Sequence, residues 1–480
     1  MIRLDHFGIG KLSQRTAWVG ASKSVGFLFV FLANIYLART LSQKHFGLYQ
    51  QGWLFIHTSL PILLLGIPQA LNYLLPPASQ EKTRQYIHAF FLLLFFTGLV
   101  TSLLALSVPG FLAGLIGNPE LSILIPVIGL YIFVFLPFNL LEPLLILKTR
   151  VRELFLWSVL LNLLFILIIL WGGKIKSLEK IFTALAVLAL VKMIIASQRT
   201  LALYGPGSWR IPRTLWSPLL RYLSILAGIS LVDIFTMDID KYVVSHFLGS
   251  EKYALYSVGA IEIPVITLLI GSVTAVVMPE MTRFLSLDKK DEVIRLLHRS
   301  MEKLAFVILP LFIYCALTAG FYIPFFFGER YQASIAIFCI YLVLMPIRIL
   351  NNHPYLISAG LQRYALYARI LDIFINFILG IILIRWIGLW GPAVSTVLAS
   401  YIHKVYQTAI MSKHLGLKMD KIYPWKQFLR ILVSTAPGAI CLGMILVIFG
   451  RSLASIIIGS VLFAGIYLIL LPPLLKQSHT

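Results

Sequence analysis

Apolar residues run along this chain in long unbroken stretches, with neither the three-and-four spacing of a half-buried helix nor the alternation of a strand. About 14 of these stretches are long enough to cross a bilayer. Their centres lie near Phe27, Ser59, Phe96, Tyr131, Leu163, Val187, Gly228, Thr267, Leu311, Tyr341, Phe377, Leu398, Cys441 and Phe463. A crossing takes roughly 20 helical residues, and each segment must satisfy its own backbone polar groups there. Membrane barrels instead use short alternating strands. The expected fold class is all-α: a polytopic transmembrane helix bundle. The stretch 283–299 carries Val293, Leu296 and Leu297 among charges, which predicts an amphipathic helix on the membrane surface.

The pattern also repeats. Leu41-Ser-Gln-Lys-His-Phe-Gly-Leu-Tyr49 aligns without a gap on Leu248-Gly-Ser-Glu-Lys-Tyr-Ala-Leu-Tyr256, each copy between one apolar segment and the next. Arg152 and Arg363 likewise open the fifth and eleventh segments. Six segments separate the copies, so both have the same orientation. This predicts two parallel six-helix lobes, residues 1–205 and 206–415, followed by two additional helices and a tail in 416–480. Duplicated bundles of this kind are a transporter architecture.

Composition removes the soluble alternative, since 59% of residues are hydrophobic, 12% are charged and the mean hydropathy is +0.90. A globular domain is about a quarter charged. The net charge of +21 comes from 40 Lys and Arg against 19 Asp and Glu. With no soluble basic domain to bind nucleic acid, this excess reads as the positive-inside bias. The clusters at Lys148/Arg150/Arg152, 199–221, 283–303 and 404–430 then share the cytoplasmic side. Both termini are expected there, in the inner membrane. The polar, basic start and the full-length first segment argue against a cleaved signal. Cys315, Cys339 and Cys441 are far apart and have no ligand spacing. No P-loop, H-E-x-x-H or nucleophile elbow occurs, so the expectation is a protein that is not an enzyme and has no cofactor or metal.

The chemistry then rests on polar residues inside the segments, where a charge is costly and tends to be paired or to face a cavity. Lys23 and Asn34 share a face of the first segment. The seventh carries Asp233, Asp238, Asp240 and Lys241, with Asp233 and Asp240 on one face. Arg348 and Asn352 are spaced i, i+4, and Arg369, Asp372 and Asn376 form a stripe. Cavity candidates are Lys23, Asn34, Asp233, Asp240, Lys241, Arg348, Asn352, Arg369 and Asp372. Asp233, Glu142 and Glu262 are candidates for H+ or Na+ coupling. The bland readings are pairing of Asp240 with Lys241 and of Arg369 with Asp372, snorkelling of Lys192 and Arg39, and packing for His57. Cations facing a cavity suit an anionic substrate, by a guanidinium fork or an ammonium point charge.

Tyr36-Leu-Ala-Arg-Thr-Leu-Ser-Gln-Lys-His-Phe-Gly-Leu-Tyr49 resembles the signature after the first helix of Wzx-type polysaccharide flippases, in the multidrug/oligosaccharidyl-lipid/polysaccharide (MOP) superfamily. Asp240–Gly249, Ala254–Tyr256, Pro279-Glu-Met281, Phe327–Tyr331, Gly360–Arg363 and Gly388–Ala393 are also similar, and the resemblance covers residues 12–410. Ser42 stands where the family usually has Gly, and no acidic residue precedes Phe46. The resemblance implies alternating-access export of undecaprenyl-diphosphate-linked oligosaccharide, with a cavity lined by helices 1, 2, 7 and 8. It also implies membrane lipids, glycosyltransferases and a polymerase as partners. A peptidoglycan-precursor flippase and an ion-coupled drug exporter of the same superfamily are the alternatives. A membrane glycan polymerase or ligase is disfavoured by the short outside loops.

Overall fold

A computed structural model describes residues 9–206 and 211–476. These are helical, with no strand among the described residues. They separate into two compact units, Met1–Ala254 and Leu255–Thr480. This boundary follows packing, whereas the 205/206 division follows the repeat.

Unit 1 contains α1 (Ile9–Thr40), α2 (Gln43–Leu63), α3 (Ile67–Leu74), α4 (Gln80–Ser107), α5 (Pro109–Leu115), α6 (Ile125–Phe135), α7 (Leu141–Leu147), α8 (Val151–Ile175) and α9 (Leu178–Tyr204). Most of α10 (Arg213–Gly259), a 47-residue run kinked at Gly249, also belongs to it. Gly249 has φ 71°, a left-handed conformation that any Cβ would strain. Unit 2 holds α11 (Pro264–Ser286), α12 (Lys290–Phe327), α13 (Ser334–Leu342), α14 (Leu344–Arg348), α15 (His353–Ser358), α16 (Gln362–Ile387), α17 (Gly391–Leu415), α18 (Trp425–Ile448) and α19 (Leu453–Lys476).

Among the described residues, twelve stretches are long and apolar enough to cross a membrane. One of them, Gln362–Leu415, is two helices that reverse at Gly388 (φ 61°), and α13–α15 form a further, broken crossing. Every centre expected from the sequence falls within a helix. The expected surface helix is instead the start of α12. At 38 residues, α12 is about 57 Å long, far beyond the ~30 Å hydrocarbon core. Val293 and Leu297 pack into the core of unit 2 with Met281, Met301 and Ile422, so protein rather than lipid covers them.

The repeat is visible in the packing. In unit 1, α6 packs on α4 and α9; in unit 2, the corresponding α13 packs on α12 and α17. Both of these central crossings are broken near their middle. The first copy of the repeat buries Phe46 and Tyr49, and the second buries Tyr253, Ala254 and Tyr256. Gly47 lies so close to the Ser250 carbonyl that an added Cβ would overlap it, and Gln43 Nε2 donates to Glu251 O at 3.1 Å. The small residue of that motif is therefore a packing requirement.

Candidate functional site

In unit 1, intramembrane charges meet partners. Prolines 137 and 143 interrupt the crossing made by α6 and α7, where Leu136–Leu140 tightens into a 3-10 turn. Asn139 Nδ2 returns to the carbonyls of Phe135 and Leu136 at 3.1 and 3.2 Å. Just beyond this break, Glu142 accepts the Lys23 ammonium at 3.2 Å. Asn34 accepts from Gln50 Nε2 at 3.0 Å, tying α1 to α2.

On α10, Asp238 is buried and contacts two groups at once, His57 Nδ1 at 2.8 Å and Lys241 Nζ at 2.6 Å. Lys241 thus pairs with Asp238, one turn back on the same helix. Asp240 is buried, Asp233 is half-buried, and both have contacts of their own. Lys192 does not snorkel. Its ammonium lies 5.3 Å from the Phe135 ring centre and 5.4 Å from that of Phe138, a cation–π seat at the break between α6 and α7.

In unit 2, the charges converge on the breaks in the crossings made by α11 and by α13–α15. Glu262 was expected inside a helix, but it sits in the irregular segment 260–263 that ends at Pro264. Its carboxylate accepts from Arg348 Nη2 at 2.6 Å. The helix also stops between Arg348 and His353, because Pro354 brings no backbone donor. Arg348 and Asn352 therefore do not share a helical face. Asn352 is fully buried and donates to Tyr423 Oη at 2.9 Å and Thr408 Oγ1 at 3.2 Å. Asn351 donates to Thr274 at 2.7 Å.

The break also presents the Leu350 carbonyl, which accepts the Lys404 ammonium from α17 at 2.9 Å. Among the described residues Lys404 has no ion pair, yet Arg369, Asp372 and Arg348 are all near enough to act on it electrostatically. Asp372 is buried and lies 3.5 Å from His403 Nδ1, and Arg369 has contacts of its own. Asn376 accepts from Ser395 at 2.7 Å and Thr396 at 3.3 Å, joining α16 to α17. Three cations, Arg348, Arg369 and Lys404, thus share one neighbourhood with two carboxylates, Glu262 and Asp372.

Residues 36–336 match the family model described as "Polysaccharide biosynthesis protein". The chain belongs to the polysaccharide biosynthesis protein family. A search of curated protein sequences gives no match. Among solved structures, the chain is similar to the lipid II flippase MurJ in an inward closed conformation, at 14% identity over 97% of this chain and 100% of that one, with a TM-score of 0.71. It is also similar to an inward-facing multidrug resistance MATE family transporter of the MOP superfamily, at 13% identity, 82% and 94% coverage and a TM-score of 0.63. A third is a MOP superfamily transporter from Pyrococcus furiosus, at 13% identity, 83% and 94% coverage and a TM-score of 0.55. The fold is that of MOP transporters, as the sequence motifs implied.

For this member of the polysaccharide biosynthesis family, sequence reasoning missed Lys404, His403 and the role of Asp238. Lys404 was assigned to a cytoplasmic cluster, whereas it lies near the middle of α17. The signal available was a polar face on that helix, with His403 and Gln407, and Lys404 and Thr408, each at i, i+4.

Proposed function

We propose that this chain carries undecaprenyl-diphosphate-linked oligosaccharide units across the cytoplasmic membrane for surface polysaccharide assembly, by alternating access and without chemistry on its cargo. The observation that carries this reading is the convergence, among the described residues, of Arg348, Arg369 and Lys404 beside Glu262 and Asp372. Cations crowded within a membrane segment repel one another more strongly than in water. A diphosphate relieves that repulsion, taking forked hydrogen bonds from arginine and a point charge from lysine. A cation-exporting site would be served by the opposite excess, so the drug-exporter alternative fits this cluster poorly. Family membership supports a cargo from polysaccharide synthesis. Glycosyltransferases that load the lipid and a polymerase that uses it are the expected partners, with both termini cytoplasmic.

Reconstituted vesicles and a fluorescent lipid-linked oligosaccharide test this. Wild type should translocate it, and Arg348→Gln should lower the rate roughly tenfold or more, the loss of a charged hydrogen bond. An unchanged rate would remove the cluster from the cargo site. Lipid II run in parallel separates the peptidoglycan-precursor alternative, because that reading requires lipid II to move faster than the oligosaccharide lipid. Glu262 and Glu142 are both held by cations, and each of Asp233, Glu142 and Glu262 is neutralised in turn to test H+ or Na+ coupling.

A further inference from the structure

A second group of cations lies where three crossings of unit 1 end together. The crossing that starts at Ala17, the one that ends at Leu147 and the one that starts at Val151 meet around a cavity of about 550 Å³. That volume is within the range of small-ligand pockets, ~300–1,000 Å³. The hollow is made by a tight reversal between α7 and α8. Thr149 adopts φ 57°, and the amides of Lys148, Thr149 and Arg150 fold back onto the carbonyls of Leu144, Ile146 and Leu145. This turn spreads Lys148, Arg150 and Arg152 around the opening, and α1 adds Gln14, Arg15 and Trp18.

The lining has four cations and one carboxylate, and that carboxylate is occupied. Glu153 Oε1 lies 2.5 Å from Arg199 Nε as an ion pair and accepts from Trp157 Nε1 at 3.3 Å, while Oε2 faces Arg150 at 3.7 Å. Among the described residues Arg15 and Arg152 have no ion-pair partner. Lys148 rests 4.7 Å over the Tyr204 ring, which leaves its N–H donors available. A second, mixed cavity of about 390 Å³, lined by Leu75, Pro76, Leu203 and Tyr204 together with Gln80 and Thr83, adjoins it on the other side of Lys148. Trp18, edge-on to Phe155 at 5.1 Å, sits at the start of its crossing, the level at which tryptophan meets lipid headgroups. Scattered snorkelling cations need no hollow, and here the arginines surround one.

We propose that this hollow binds the phosphodiester headgroup of an anionic glycerophospholipid, with Arg15, Arg150 and Arg152 holding the phosphate at the level where Trp18 meets the lipid. Its residues are all different from those of the unit 2 cluster, so the two sites can be tested separately.

The test is native mass spectrometry of the purified full chain after exchange into phosphatidylglycerol or phosphatidylcholine. The variants are Arg15→Gln/Arg150→Gln/Arg152→Gln and a control that removes equal charge where α8 ends and α9 begins, Lys174→Gln/Lys176→Gln/Lys180→Gln. Wild type and control should retain phosphatidylglycerol in preference to phosphatidylcholine, and the pocket variant should lose roughly tenfold of that retention or more. Should the triple variant aggregate, Arg15→Gln/Arg152→Gln keeps the Arg150–Glu153 contact and should still lose roughly fivefold. Equal retention in pocket and control variants, or equal retention of the two lipids, overturns the site. Displacement of the lipid by millimolar inorganic phosphate would make it a free-anion site and overturn the lipid assignment.

Discussion

In unit 1, Lys23 reaches Glu142, Lys241 and His57 share Asp238, and Lys192 lies on two phenyl rings. In unit 2, among the described residues, Lys404 donates to a backbone carbonyl and lies near two arginines and an aspartate. Both arrangements bring charges into crossing segments, at a cost of a few kcal/mol or more for each unpaired group. The first arrangement settles that cost internally, joining α1 to α7 and α2 to α10. In the second, Arg348 is paired with Glu262 while Lys404 meets a backbone carbonyl, and the proposed diphosphate would bring the anion that Lys404 takes. The number of membrane charges therefore says little about where cargo binds, and their partners say more.

Asp238→Ala should show the largest effect. It strands Lys241 and His57 beside an uncompensated site, and removing one member of a buried pair costs about 3–5 kcal/mol. Denaturation of the purified protein in detergent measures it, and Asp238→Ala/Lys241→Met should recover most of the loss. If Asp238→Ala were as stable as wild type, the pairing in unit 1 would not be a scaffold. Lys192→Met has a smaller effect. It exchanges a cation–π contact of about 1–2 kcal/mol for a better-solvated apolar chain, so melting should stay near wild type or rise. A large drop in melting would mean that the ammonium has a further partner.

The smallest change in transport is expected for Lys23→Gln, because Lys23 and Glu142 pair within unit 1, outside the proposed cargo cluster. Flipping of the oligosaccharide lipid should stay within about twofold of wild type. A collapse of transport would return Lys23 to the cargo site and blur the contrast between the units.

Hydrophobic run length was enough to place every crossing, because a bilayer demands about 20 apolar residues and the chain supplies them in unbroken stretches. The gapless match of 41–49 on 248–256 carried the duplication, and the structure gives it a cause in the contact of Gly47 with Ser250. The breaks were harder to read. Pro137 and Pro346 mark bends, but a proline does not tell which neighbour takes the freed carbonyl. Leu350 and Lys404 are 54 residues apart, and only the fold brings them together. The same limit applies to Asp238, whose neighbours Asp233 and Asp240 looked equivalent in sequence. Hydropathy also trimmed α17 too short and so moved Lys404 into a loop.

The most direct test is the affinity of the purified chain for an undecaprenyl-diphosphate-linked oligosaccharide, measured on wild type and Lys404→Gln alongside melting in the same detergent. The account predicts that Lys404→Gln raises Kd roughly tenfold or more while melting holds or increases, because the lost lysine is a diphosphate ligand and a source of repulsion. An unchanged Kd, with melting lowered instead, would make Lys404 a structural group and contradict the assignment of the cargo site to unit 2.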